Sequence, residues 1–283
     1  MEIRCDLHCH STCSDGTLTP AELVALAEKK GLAALALTDH NTARGLEEFM
    51  AAGEKSPVRT VPGCEFTTDD RGRELHIVGL FFRRDHWPEI EDYVELMHIA
   101  KRNANRKMLD QLRQDGYQAT FEEVAALAGS EDFNRAHVAR VLMAKGYVES
   151  VKAAFDGILK EGAGYYVPAR RLSAVATIRF IKSYGGVAVL AHPFLNLDEV
   201  ELLEFLPRAK EAGLDAMETR YTEFDRETTR KAEALAARFG LKQSGGSDFH
   251  GSAKPDIDLG SGWGDLEVPY AFYEDLAPPG WGV

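Results

Sequence analysis

Short apolar runs alternate along the chain with stretches whose apolar positions recur at helical spacing. The runs Glu2–Cys9, Ala33–Thr38, Thr60–Glu65, Leu75–Phe82, Gly186–Ala191, Asp215–Glu218 and Lys242–Gly246 predict strands. The stretches Pro20–Lys30, Arg44–Glu54, Ser173–Tyr184, Leu197–Ala212 and Asp225–Phe239 predict helices. Thr19-Pro20 offers an N-cap followed by Pro at the first helical position, and Gly31, Gly185 and Gly240 fall where helices should stop. Strand–helix alternation predicts a parallel sheet with right-handed crossovers, and about seven such units predict an α/β barrel. From Lys101 to Arg171 the rhythm breaks. That stretch has no convincing strand and reads as consecutive helices, Glu89–Asp115, Thr120–Ala128, Asn134–Gly146 and Ser150–Leu159. The expected organisation is a barrel of residues 1–100 and 172–283 carrying a small helical insert, 101–171.

Composition narrows this picture. With 283 residues, 45% hydrophobic and 28% charged, the chain can bury a core, and global disorder is excluded. The formal net charge is −12, which makes duplex DNA a poor partner for the whole surface. Charge is uneven: the insert has 12 Lys and Arg against nine Asp and Glu, the remainder 21 against 36. A mildly basic insert suits a site that handles phosphate, and it equally suits ordinary solvated helices. The four cysteines, Cys5, Cys9, Cys13 and Cys64, form no C-x-x-C pair and read as reduced thiols. No basic-then-apolar leader opens the sequence and no run reaches membrane-spanning length. A cytoplasmic protein with no membrane partner is expected. The Gly-, Pro- and aromatic-rich segment 260–283 is expected to pack on the barrel as an ordered tail.

The histidines carry the chemistry. His8 and His10 close the first run in DLHCHS, and period-two alternation puts them on one face with Cys9 opposite. Alone, such a pair fits a metal grip or a polar strand end about equally. Asp15 follows in a turn signature, SDG. His40 ends the second run, Glu65 the third, and His76 lies inside the fourth, where a lone His is usually a satisfied core residue. His192 follows the next apolar run, and Asp248 and His250 follow the last. Together these nine residues fall at, just after or within predicted strands, and in a β/α barrel strand ends converge on one mouth. Imidazoles with carboxylates are ligands for Mn, Fe or Zn. Nine donors exceed the needs of one ion and suit two or three divalent ions sharing a bridging carboxylate.

The motifs DLHCHSTCSDG, ALTDHN, the Glu of GCEF, LHIVGL, LAHP and GSDFH resemble those of the polymerase and histidinol phosphatase (PHP) family of metal hydrolases. The resemblance spans the barrel and implies a distorted (β/α)7 barrel with a trinuclear site. It implies one ion on His8, His10, Glu65 and Asp248, a second on Glu65, His76 and His192 with Glu65 bridging, and a third on Asp15, His40 and His250. Some members have a histidine where this chain has Asp15. A closer resemblance is to the branch of 3′,5′-nucleotide bisphosphate phosphatases and related 5′-to-3′ exonuclease-like enzymes, whose insert carries an Arg-x-His-x-x-Arg-type segment. Here it reads FNRAHVARVLMAKG, with Asn134, Arg135, His137 and Arg140. After LAHP the branch often has a basic residue where this chain has Phe194-Leu195-Asn196, and Arg220 is a candidate substitute.

The expected reaction is metal-assisted, in-line hydrolysis of a phosphate monoester, with the 3′-phosphate of nucleoside 3′,5′-bisphosphates as first candidate and short oligonucleotides as related substrates. Asp15 or His250 would guide the proton of the leaving oxygen. Arg135 and His137, with Asn134, would hold a second, uncleaved phosphate, an Arg fork matching phosphate oxygens. Taken without the resemblance, Arg135 reads more simply as a solvated helix charge. Tyr165 and Tyr166 suit either base stacking or a packed turn. The competing readings are a histidinol-phosphate phosphatase or other small-ester hydrolase, an amide or lactone hydrolase, and a non-catalytic metal-binding regulatory module.

Overall fold

Among the described residues the seven apolar runs become strands and an eighth, the two-residue β5, was not expected: β1 Cys5–Cys9, β2 Ala34–Leu37, β3 Arg59–Asp70, β4 Arg73–Leu80, β5 Leu172–Ser173, β6 Val187–Leu190, β7 Ala216–Tyr221 and β8 Lys242–Gly246. The helices are α1 Pro20–Lys29, α2 Leu46–Gly53, α3 Trp87–Gln114, α4 Phe121–Ala128, α5 Arg135–Ala144, α6 Val151–Asp156, α7 Ala174–Ser183, α8 Pro193–Asn196, α9 Glu199–Ala212, α10 Arg226–Arg238 and α11 Tyr270–Leu276. The structure is a computed structural model and describes residues 3–160, 165–167 and 171–281. Glu2 of the first expected strand, residues 161–164 and 168–170 of the expected insert, and the last two tail residues lie outside the described residues.

The chain divides into two compact units, Met1–Asp92 with Leu172–Val283, and Tyr93–Arg171. The second starts inside α3, one uninterrupted helix, where the expected insert began at 101. Among the described residues its regular elements are helices, packed around Leu112, Phe121, Phe133, Val138 and Leu142.

The first unit is a seven-stranded barrel in the order β1-β2-β3-β4-β6-β7-β8, with β5 paired to β3. The seam between the first and last strands closes through His10 N–H to Phe249 O (2.9 Å) and Asp248 N–H to His8 O (2.9 Å). The strands are parallel except β4, which runs antiparallel to both β3 and β6. The alternation had implied parallel strands throughout. Two residues, Arg71 and Gly72, connect β3 to β4, both at positive φ (54° and 85°), and a two-residue hairpin turn leaves no chain for a crossover. This departure makes the (β/α)7 barrel a distorted one.

Leu7, Ala36, Val61, Val78, Val189 and Ala216 fill one layer of the barrel and form a single cluster with Val268, Tyr273 and Leu276 of the tail. The tail pairs with β1 through Cys5 N–H to Val268 O (3.0 Å). Two bulges break strand alternation, in β1 between Asp6 and Cys9 and in β7 between Glu218 and Arg220. A bulge adds one residue and re-aims the side chains beyond it. After Leu7 has faced the apolar cluster, His8 and His10 can therefore face inward too.

Candidate metal centre

All nine donor residues lie in the barrel unit. On β2, β3 and β6 they follow the apolar layer along the strand, and on antiparallel β4 His76 precedes it, so all collect at one end of the barrel. Glu65 sits at the centre, fully buried. Its Oε2 lies 3.0 Å from His8 Nε2, 3.2 Å from His10 Nε2 and 3.1 Å from His40 Nδ1. Its Oε1 lies 2.8 Å from His76 Nδ1 and 3.0 Å from His192 Nε2. Asp248 Oδ1 adds contacts of 3.1 Å to His10 Nε2 and 3.6 Å to His8 Nε2. At the rim, exposed Asp15 approaches His250 Nε2 (3.3 Å), His10 Nδ1 (3.9 Å) and His40 Nε2 (3.9 Å).

Three groups emerge whose donor atoms all lie within 4.8 Å of one another: His8, His10, Glu65 and Asp248; His40, Glu65 and His76; and His10, Asp15, His40 and His250. His10 and His40 each turn one nitrogen toward Glu65 and the other toward Asp15. His192 meets Glu65 but belongs to none of the three. The donor set fits divalent cations on one observation in particular. His8 Nε2, both nitrogens of His10, His40 Nδ1, Glu65 Oε2 and His192 Nδ1 are buried without a hydrogen-bond partner among the described residues. Several stand about 3 Å apart yet are not aligned as hydrogen bonds. Lone pairs converging on shared centres give that arrangement, and a dense set of unpaired buried polar atoms is otherwise costly.

Electrostatics agree. Burial opposes charge on His8, His10 and His76, but adjacent carboxylates outweigh it, Glu65 first at His8 and His76 and Asp248 first at His10, and push His10 up to about 9, His76 up to about 10 and His8 well above its ordinary value. Burial also opposes charge on Glu65, Asp248 and Asp15, yet the surrounding imidazoles hold all three carboxyls below their usual range. His40 goes the other way, down to about 4, because burial and the neighbouring histidines outweigh Glu65.

Neighbouring groups fix these side chains. Asp39 accepts from Ser11 N–H (2.7 Å), Ser11 Oγ (2.5 Å) and Ser14 Oγ (2.5 Å), pinning the loop that carries Asp15. Asp6 accepts from Ser247 N–H (2.9 Å), Ser247 Oγ (2.5 Å) and Gly260 N–H (2.8 Å) beside the seam. Tyr221 O–H (3.0 Å) and Lys254 Nζ (2.7 Å) donate to Asp248 Oδ2, leaving Oδ1 for the histidines. His250 Nδ1–H donates to Asp248 O (2.8 Å), so Nε2 is the nitrogen that faces Asp15. His192 and Asp248 hold left-handed backbone angles (φ 25° and 56°), as does Asn41 beside His40 (φ 51°), a strain that tends to gather at functional sites. Asp6, Asp39, Tyr221 and Lys254 escaped sequence reasoning; their only signal was proximity to a motif.

The proposed phosphate contacts lie in the helical unit. Asn134 is the N-cap of α5, its Oδ1 accepting from Ala136 and His137 N–H (3.0 and 3.4 Å), and His137 Nδ1 accepts from Asn134 N–H (3.3 Å). Arg135 Nη1 donates to Leu159 O (3.2 Å), and its guanidinium lies 3.9 Å from the Tyr166 ring centroid. Tyr166 therefore has a local partner, as does Tyr165, whose hydroxyl meets Asp115 (2.5 Å). In the barrel unit, Arg220 is paired with Glu233 (2.6 Å).

The family described as PHP domain matches residues 6–168. A 5′-3′ exoribonuclease of Haemophilus influenzae is 34% identical over 246 residues, 87% of this chain and 89% of that one. A 3′,5′-nucleoside bisphosphate phosphatase of Chromobacterium violaceum is 31% identical over 261 residues, 90% of each chain. A crystal structure from Bifidobacterium adolescentis, described as a metal-dependent phosphoesterase, superposes with a TM-score of 0.73 at 29% identity, covering 96% of this chain and 94% of that one.

Proposed function

The chain belongs to the PHP domain family and is a metal-dependent phosphoesterase, and from that premise we propose that it removes the 3′-phosphate of nucleoside 3′,5′-bisphosphates. The observation that carries the chemistry is the buried Glu65 carboxylate facing five imidazoles. Likeness to the Chromobacterium phosphatase over nine-tenths of both chains supports the substrate.

We assign two or three divalent ions, Mn, Fe or Zn, to the nine donors, with Glu65 shared. Bound there, they would neutralise phosphoryl oxygens and acidify water toward neutral pH. The protein's own groups do the rest. Glu65 holds the donors in register. Tyr221 and Lys254 orient Asp248. At the rim Asp15 Oδ1 and His250 Nε2 lie 3.3 Å apart, and to this pair we assign the guiding of the proton that the leaving oxygen takes up. In the helical unit, we propose Arg135 as the group that takes a phosphate, held ready by Leu159 O and Tyr166. Asn134 and His137 support it by capping the helix that carries it.

A second reading, 5′-to-3′ removal of nucleotides from short RNA, is favoured by the Haemophilus relative. The deciding experiment assays the Mn-loaded protein on adenosine 3′,5′-bisphosphate, adenosine 5′-monophosphate and a short 5′-phosphorylated RNA. Strong preference for the bisphosphate over the monophosphate is expected. Equal turnover of the two refutes two-phosphate recognition, and faster turnover of RNA favours the second reading. Arg135→Ala is expected to lower kcat/KM for the bisphosphate about 10-fold or more while sparing a generic ester, the scale of one lost charge-assisted phosphate contact.

A further inference from the structure

We propose that Glu218, which is not among the nine donors, is a positioning residue. It fixes which nitrogen of His8 faces the centre and holds the backbone of His192. The inference rests on the metal-dependent reading and adds a residue to it.

Glu218 lies on β7 and is 1% exposed. Among the described residues no Lys or Arg pairs with it, and a buried carboxylate needs donors. It has two from opposite sides. His8 Nδ1 lies 2.8 Å from Oε1, and the His192 backbone N–H donates to Oε2 at 2.6 Å. A carboxylate only accepts, so His8 must carry its proton on Nδ1. Its lone pair is then on Nε2, the atom 3.0 Å from Glu65 Oε2 and 3.6 Å from Asp248 Oδ1. The opposite tautomer would turn an N–H toward the centre and abolish that donor.

The contact to His192 acts on backbone. His192 sits at φ 25°, ψ 57°, a region costly for a residue with a side chain, and a carboxylate oxygen accepting from its N–H holds it there. In that conformation His192 Nε2 reaches 3.0 Å from Glu65 Oε1. One carboxylate thus orients two histidines from different parts of the barrel, each facing a different oxygen of Glu65. The strand between β7 and β1 is bare where the contact passes: a Cβ on Gly246 would stand 2.4 Å from His8 Cβ. Carboxylate partners behind metal-ligating histidines act in this way generally.

The test compares wild type, Glu218→Gln and Glu218→Ala, each stripped of metal, checked for fold by far-UV circular dichroism and titrated with Mn by calorimetry. Glu218→Ala is expected to bind Mn roughly 10- to 100-fold more weakly, with Glu218→Gln in between, since its NH2 must face one of the two donors. Folded variants whose Mn affinity stays within about twofold of wild type overturn the inference, because a residue serving stability alone leaves affinity unchanged. An independent arm uses zinc-loaded wild type with 15N-labelled histidine. Long-range 15N–1H spectra are expected to show His8 protonated at Nδ1; protonation at Nε2, or metal on Nδ1, overturns the inference even if no variant folds. Wild type that binds neither Mn nor Zn overturns the metal reading and this inference with it. Wild-type binding that the variants match overturns this inference alone.

Discussion

Glu65 shows how one residue can organise a centre: it is fully buried, and both its oxygens face imidazoles. Glu65→Gln keeps the shape and deletes the charge. We expect metal content by elemental analysis to fall well below wild type. Turnover should drop by more than about 100-fold, since even partners behind a ligand are worth 10–100-fold. Protonation gives a second test. In the metal-free protein His10 (about 9) and His76 (about 10) hold the extra proton at pH 7.5. A cation needs their lone pairs, so loading must expel protons. Mn added to the stripped protein in a pH-stat at pH 7.5 should release acid. Release should shrink as pH rises through 9 to 10, where these groups have already lost their protons. No release at pH 7.5 contradicts the assignment. At this scale the donors were readable, because His, Asp and Glu at the ends of apolar runs stand out. Glu218 closes an expected run in the same way but lies in none of the motifs that carry the resemblance, and its partner His8 is 210 positions away.

Elements explain why the donors meet. Strand positions were legible from apolar runs, but direction was not. The run after Glu65 continues to Asp70, and the two-residue turn at Arg71-Gly72 sends β4 back antiparallel, placing His76 against Glu65 eleven residues away. The polar string TTDDRG hid a strand end in what looked like a loop. The bulges in β1 and β7 were equally hidden, since an extra residue leaves no compositional trace. Glycine at 246 is a strict requirement at the seam. A Cβ there meets His8 N at 2.5 Å as well as His8 Cβ, and backbone cannot step aside. Gly246→Ala is expected to cost about 1–3 kcal/mol in urea unfolding, the usual penalty of overpacking, and to weaken Mn binding in parallel. Unchanged stability would mean that β8 and β1 separate more easily than the seam hydrogen bonds suggest.

For the molecule as a whole, ions held by the clustered carboxylates and imidazoles are expected to add to stability. Ligand at 100 times its dissociation constant adds about 2.7 kcal/mol, and in a domain of this size each kcal/mol moves Tm by about 2–4 °C. Chelation followed by dialysis should therefore lower Tm by several degrees, with Mn restoring it; an unchanged Tm argues against ions at the buried donors. No described helix is long and apolar enough to cross a membrane. The seam between β1 and β8 has a further consequence. It joins His8 and His10 to Asp248 and His250. A chain in which that last strand stays detached would offer seven donors and no complete cage, so a loosened seam is expected to lower metal affinity before it lowers helix content.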